Sequence, residues 1–125
     1  MDDNMHNEVS RTDSTSLIPY LDRAEVLIAT TAQLRKDLVL SEDELPMPEL
    51  TMDAFEALRG SVQPRLEELE SKGRHALQVT MYRVDIPEGH LQRTLSMGGI
   101  PLLAGECVLR ALQKVLTRLR YAGRY

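Results

Sequence analysis

Residues 101–121 read PLLAGECVLRALQKVLTRLRY, and their spacing decides the fold class. Leu102, Gly105, Leu109, Leu112, Leu116 and Leu119 recur every three or four positions, with Val108 and Val115 beside them. That is the period of an α-helix with one apolar face. Arg110, Lys114 and Arg118 stand at i, i+4 and i+8 on the other side, so they form one line of positive charge, with Arg120 and Arg124 nearby. Gly105, inside the apolar stripe, marks a place where another helix crosses closely.

Upstream, Gly98-Gly99 ends a short helix over about 86–97, with Leu91 and Leu95 as its apolar residues. Asp85 and Glu88 have capping-box spacing, and Pro87 falls in the first turn. Before it, residues 75–84 (HALQVTMYRV) are the one strand-like stretch. Val79, Thr80, Tyr82 and Val84 favour β structure, and Leu77, Val79 and Met81 alternate with polar neighbours. Leu77, Met81 and Val84 also fit a helix. A strand here has no partner in the chain, so its unmatched backbone groups imply antiparallel pairing with a second copy about a two-fold axis.

Residues 51–72 read as a helix. Thr51 is its N-cap, Leu50 and Phe55 form a hydrophobic staple, and Leu58, Val62, Leu66 and Leu69 extend the stripe. Pro64 should collide with the Gly60 carbonyl, which predicts a kink or break near 60–63. Gly73 stops the helix. Residues 41–50 (SEDELPMPEL) form a stiff linker in which Ser41 and Glu44 have capping-box spacing. Residues 17–40 read as the first helix, capped by Ser16, with Pro19 in its first turn. Its stripe is Leu17, Leu21, Ala24, Ile28, Thr31 and Leu38, widened by Leu27 and Leu34. Residues 1–15 are polar without an apolar period and read as a disordered acidic tail.

The expected architecture is therefore mainly α: a small helical bundle of three long helices and one short helix, with one short β-strand around 76–84. Residues 16–125 form a single domain, as 125 residues with 42% hydrophobic content suggest. The core is aliphatic, because the chain has one Phe, four Tyr and no Trp. Those few rings do not make a stacking surface for bases. One cysteine, Cys107, excludes an internal disulfide and reads as a buried thiol. Without a signal peptide or a run of about 20 apolar residues, the chain reads as cytoplasmic with no membrane contact.

The net charge of −4 conceals a gradient. Residues 1–60 hold 13 acids and 5 bases, whereas residues 100–125 hold one acid, Glu106, and 5 bases. The basic ridge Arg110, Lys114, Arg118 and Arg120 is the candidate partner-binding surface, unless it pairs internally with Glu67, Glu68 and Glu70. Asp85, Glu88 and His90 are the one tight cluster of metal-type or acid–base side chains. Glu88 and His90, two apart on a helix, diverge, and capping accounts for the acids. No catalytic residue, metal site or cofactor is expected.

The leading function is a non-enzymatic helical protein-interaction or assembly protein, self-associating as a homodimer. The alternative is a nucleic-acid-binding module. Helix 86–97, the Gly-Gly turn and the basic helix make a helix-turn-helix outline, although a pI near 5.4 opposes it. The third reading is a small enzyme whose residues converge only in the fold.

Overall fold

The stripe of residues 101–121 is the spine of the structure. The computed structural model describes residues 15–51 and 53–123. It is 78% helical, with four α-helices and no strand among the described residues. They are α1 (Ala24–Leu38), α2 (Ala54–Ser71), α3 (Arg74–Arg83) and α4 (Glu88–Tyr121), preceded by a 3-10 turn, Ile18–Asp22. The expected tail 1–15 lies outside the described residues except for Thr15.

α4 packs most extensively on α2, then on α1. Its buried face is Leu103, Ala104, Cys107, Val108, Ala111, Leu112, Val115, Leu116 and Leu119. Leu109 is only half-buried and Leu102 is exposed, so the stripe is rotated slightly from its sequence reading. At the crossing with α2, a Cβ on Gly105 would lie 3.6 Å from Phe55 Cζ. That is ordinary van der Waals contact with a side chain, so the close helix crossing expected at this glycine is not required there.

α4 is not one rod. At Gly99 the backbone takes φ 69° and ψ −159°, a conformation open essentially to glycine alone. His90 Nε2 and Glu106 Oε1 lie 2.9 Å apart. Sixteen residues span about 24 Å in a straight helix, so the arms 88–98 and 100–121 must fold back on each other. Gly98 is tight as well, since a Cβ there would lie 2.8 Å from Leu102 Cβ. By length and composition α4 could cross a membrane. Any stretch of 18 residues with at most two charges crosses Gly99, however, so neither straight arm carries the whole apolar run.

The expected strand at 76–84 is a helix. Leu77, Thr80 and Met81 of α3 and the adjoining Val84 are buried, while Val79 and Tyr82 face outward. A strand would have put Leu77, Val79 and Met81 on one side. The helical spacing of Leu77, Met81 and Val84 prevails because a helix meets its own backbone hydrogen bonds and needs no partner strand. This removes the basis for strand pairing between two copies.

α3 ends with Ile86 N–H donating to the Met81 carbonyl at 2.9 Å and Asp85 N–H to Tyr82 at 3.1 Å. This is a Schellman stop, with Asp85 left-handed at φ 67°. Asp85 therefore terminates α3 and does not cap the next helix, whose N-cap is Pro87 with no side-chain cap bond.

Two more expectations are corrected. Helix 17–40 is interrupted at Arg23, which is extended (φ −93°, ψ 123°), and Leu17 replaces Ser16 as the first cap. In one straight helix Leu21 would share the outward face of Ala24 and Ile28. The break lets Leu21 turn inward and become buried. α2 runs unbroken through Pro64, with Asp53 rather than Thr51 as N-cap. Gly60 and Pro64 are both exposed, so water can serve the carbonyl that proline leaves unpaired. The buried Leu58, Val62, Leu66 and Leu69 hold the helix across that point.

The linker reading is sound in detail. Ser41 N–H donates to Glu44 Oε1 at 2.9 Å, and Glu44 N–H donates to Ser41 Oγ at 3.1 Å. The Ser41 backbone and hydroxyl bonds hold the Glu44 carboxyl below its ordinary value. Leu45, next in line, is buried and fixes the linker to the core.

Candidate interaction surfaces

The basic ridge lies along α4, and its middle member is bound internally. Lys114 Nζ donates to Asp37 Oδ2 at 2.9 Å and to the Arg83 carbonyl at 3.0 Å, with Asp85 Oδ2 at 3.8 Å. Asp37 is 7% exposed and also accepts from Gln33 Nε2 at 3.0 Å. Gln33 Oε1 in turn accepts from Arg118 Nη1 at 2.6 Å. A polar chain thus joins α1, the C-terminus of α3 and α4.

Lys114 stands where the last carbonyls of α3 need donors, so it acts as a cap on that helix. The acids that pair with the ridge are Asp37 and Asp85, not Glu67, Glu68 or Glu70. Glu68 instead meets Arg65 at 2.6 Å, and Glu67 accepts from Gln63 at 3.3 Å.

Asp85, Arg110, Gln113, Lys114, Thr117 and Arg118 line an open groove of about 370 Å³. Arg110 Nη1 donates to Gln113 at 3.2 Å, whereas Arg120 is exposed outside the groove, two residues after Arg118. Arg110, Lys114 and Arg118 are thus brought together and Arg120 is not, and two carboxylates, Asp37 and Asp85, stand against Lys114. Arg124 lies outside the described residues.

His90 and Glu88 of the acid–base cluster also separate. His90 pairs with Glu106, which accepts Thr94 Oγ1 at 2.7 Å through the same oxygen. This clasp ties the arms of α4, and Glu88 is exposed. No three His, Cys, Asp or Glu side chains among the described residues are arranged to hold a metal. Cys107 is fully buried with Sγ 3.7 Å from Met81 Sδ. Burial pushes its thiol far above the ordinary value, which keeps it protonated and unreactive.

The surface that the sequence reading missed is on α1. Its buried arc is Val26, Leu27, Thr30, Thr31, Leu34, Asp37 and Leu38. Adjoining that arc, Ala24, Ile28, Ala32 and the C-cap Val39 form a second apolar stripe, and all four are exposed, Ile28 at 56% and Val39 at 61%. Arg35 lies within the stripe but folds sideways, its Nε donating to the Leu45 carbonyl at 2.9 Å. That bond brings the linker alongside, and exposed Met47 follows two residues later.

Val39 ends α1 in the left-handed region at φ 54°. A β-branched residue is strained there, and glycine is the usual occupant. A signal for this face was present in the sequence. Ala24 and Ile28 fit a helical stripe, but so did Leu27 and Leu34, and one helix cannot turn both sets into the same core.

No protein-family model matches this chain, and neither the curated proteins nor the solved structures include a detectable relative.

Proposed function

We propose that this is a non-enzymatic helical assembly protein that associates with itself through the open face of α1. The observation that carries the reading is the second apolar stripe, Ala24, Ile28, Ala32 and Val39. Single exposed hydrophobic side chains are ordinary on a protein surface. Four aligned along one helix, two of them alanines that permit close approach, suit helix-against-helix docking. The strained Val39 supports the same reading, because an apolar side chain is kept where glycine would relieve the backbone. The basic groove is a weaker docking candidate, since Lys114 is occupied by the fold and Asp85 would repel a phosphate backbone.

Light scattering on a size-exclusion column tests this from low micromolar to several hundred micromolar protein. The parent should rise above monomer mass with concentration. Ile28→Lys should remain monomeric and folded. A parent that stays monomeric throughout contradicts the proposal.

A further inference from the structure

The groove on α4 has a charge order that disfavours a polyanion and suits a chain of mixed charge. We infer that it binds an extended peptide segment of another protein, in which two acidic side chains flank a basic one, each two residues from it.

The two ends of the groove are positive. Arg110 and Arg118 stand one turn to either side of Lys114, about 12 Å apart along α4. Each is hydrogen-bonded to a neutral amide, Arg110 to Gln113 at 3.2 Å and Arg118 to Gln33 at 2.6 Å. Neither pairs with a carboxylate among the described residues. Glu106, one turn before Arg110, is engaged by His90 and Thr94. A guanidinium has five N–H donors, so each arginine keeps enough to take a carboxylate side-on.

The centre is negative. Lys114 is the cation between the two arginines, and Asp37 and Asp85 stand against it at 2.9 and 3.8 Å. One ammonium between two carboxylates leaves one negative charge in excess. Asp37 is buried, whereas Asp85 is exposed on the groove wall, so Asp85 presents that excess to a ligand. The order along the groove is therefore positive, negative, positive. A phosphate backbone carries one sign throughout and is repelled at the centre.

Spacing sets the form of the ligand. Each step from Arg110 to Lys114 to Arg118 is about 6 Å. Alternate side chains of an extended chain share a face and lie about 7 Å apart. Side chains at i, i+2 and i+4 therefore match the groove, acid against Arg110, base against Asp85 and acid against Arg118. A free amino acid carries its ammonium and carboxylate on one carbon and reaches one arginine only. These 125 residues contain no acid-x-base-x-acid stretch, so a second copy of them does not supply the segment.

Backbone amide shifts of isotopically labelled protein, titrated at low salt with the end-capped peptide Glu-Thr-Lys-Thr-Glu, test the site. The peptide should move the amides of Asp85 and of residues 110–118 saturably, with sub-millimolar affinity. Lys-Thr-Glu-Thr-Lys, with the opposite order, should leave them in place. Glu-Thr-Glu-Thr-Glu should bind about two- to fivefold more weakly than the mixed peptide, the range of one exposed ion pair.

Arg110→Ala should raise the dissociation constant of the mixed peptide about two- to fivefold. Asp85→Asn should erase the preference for the mixed peptide over the all-acidic one. Asparagine accepts the left-handed conformation that ends α3, so this variant keeps the fold. The site is separate from the open face of α1, and Ile28→Lys should bind the peptide as the parent does. Binding of the all-acidic peptide or of oligothymidylate to the parent as tightly as the mixed peptide would reduce the groove to a plain basic patch and overturn the inference. So would shifts that map to another face, or no binding of the mixed peptide.

Discussion

Lys114, Thr30 and Cys107 show how surroundings distant in sequence decide what a single side chain does. Lys114 looked like the centre of a binding ridge, yet it caps α3 and pairs with Asp37, 77 residues away. Lys114→Met should therefore destabilise the fold by about 1–3 kcal/mol in a denaturant titration, by leaving a nearly buried carboxylate and a helix-terminal carbonyl unmatched. Unchanged stability would return Lys114 to a surface role.

Thr30 is the converse case. It is fully buried and its hydroxyl has no partner, whereas Thr31 beside it donates to the Leu27 carbonyl at 2.8 Å. Thr30→Val keeps the shape and removes the unmet hydroxyl. It should raise stability by about 1 kcal/mol, and a loss measured by the same titration would mean that the hydroxyl is served. Cys107 was readable in advance, since a thiol in an apolar helical stripe has nowhere to go but inward. It should resist a thiol reagent in the native state and react once the chain is unfolded.

At the scale of elements, legibility followed the number of helical turns that agreed with one another. Residues 101–121 carry six turns of consistent pattern, and α4 runs to Tyr121 as read. Residues 75–84 carry fewer than three, and over so short a span alternation and helical spacing are satisfied by the same leucine and methionine. The decisive term was the absence of a partner strand, which a local pattern does not encode. Gly98-Gly99 was legible as a stop. The return of the chain was not, because it depends on the His90–Glu106 and Thr94–Glu106 bonds across the turn.

The hairpin predicts that Gly98→Ala forces Leu102 aside and costs about 1–3 kcal/mol. Gly99→Ala should add a backbone penalty of about 1–2 kcal/mol. Thermal melts of the two variants check both, and an unshifted Gly99→Ala would contradict the fold-back. Leu112→Ala, at a fully buried position on the long arm, should cost about 2–5 kcal/mol.

For the whole molecule, the bundle class was readable from composition and period, but the way its faces are used was not. α2, α3 and α4 bury one arc of α1 and leave another apolar arc open. From the sequence, both arcs look like core, and only the placement of α2, α3 and α4 separates them. The acidic first half and basic last segment also meet inside the fold, through Asp37 and Lys114, so that part of the charge gradient is structural.

The central claim is that α1 has two apolar faces with different duties. It is tested most directly by the adjacent variants Leu27→Lys and Ile28→Lys, compared by circular dichroism melting at a concentration where the parent is monomeric. Leu27 is 2% exposed and Ile28 is 56% exposed. Leu27→Lys should unfold the protein or lower its melting temperature severely, because it forces an ammonium into the core. Ile28→Lys should melt within a few degrees of the parent. Equal and severe destabilisation by both would show that Ile28 is core and that α1 has no open face.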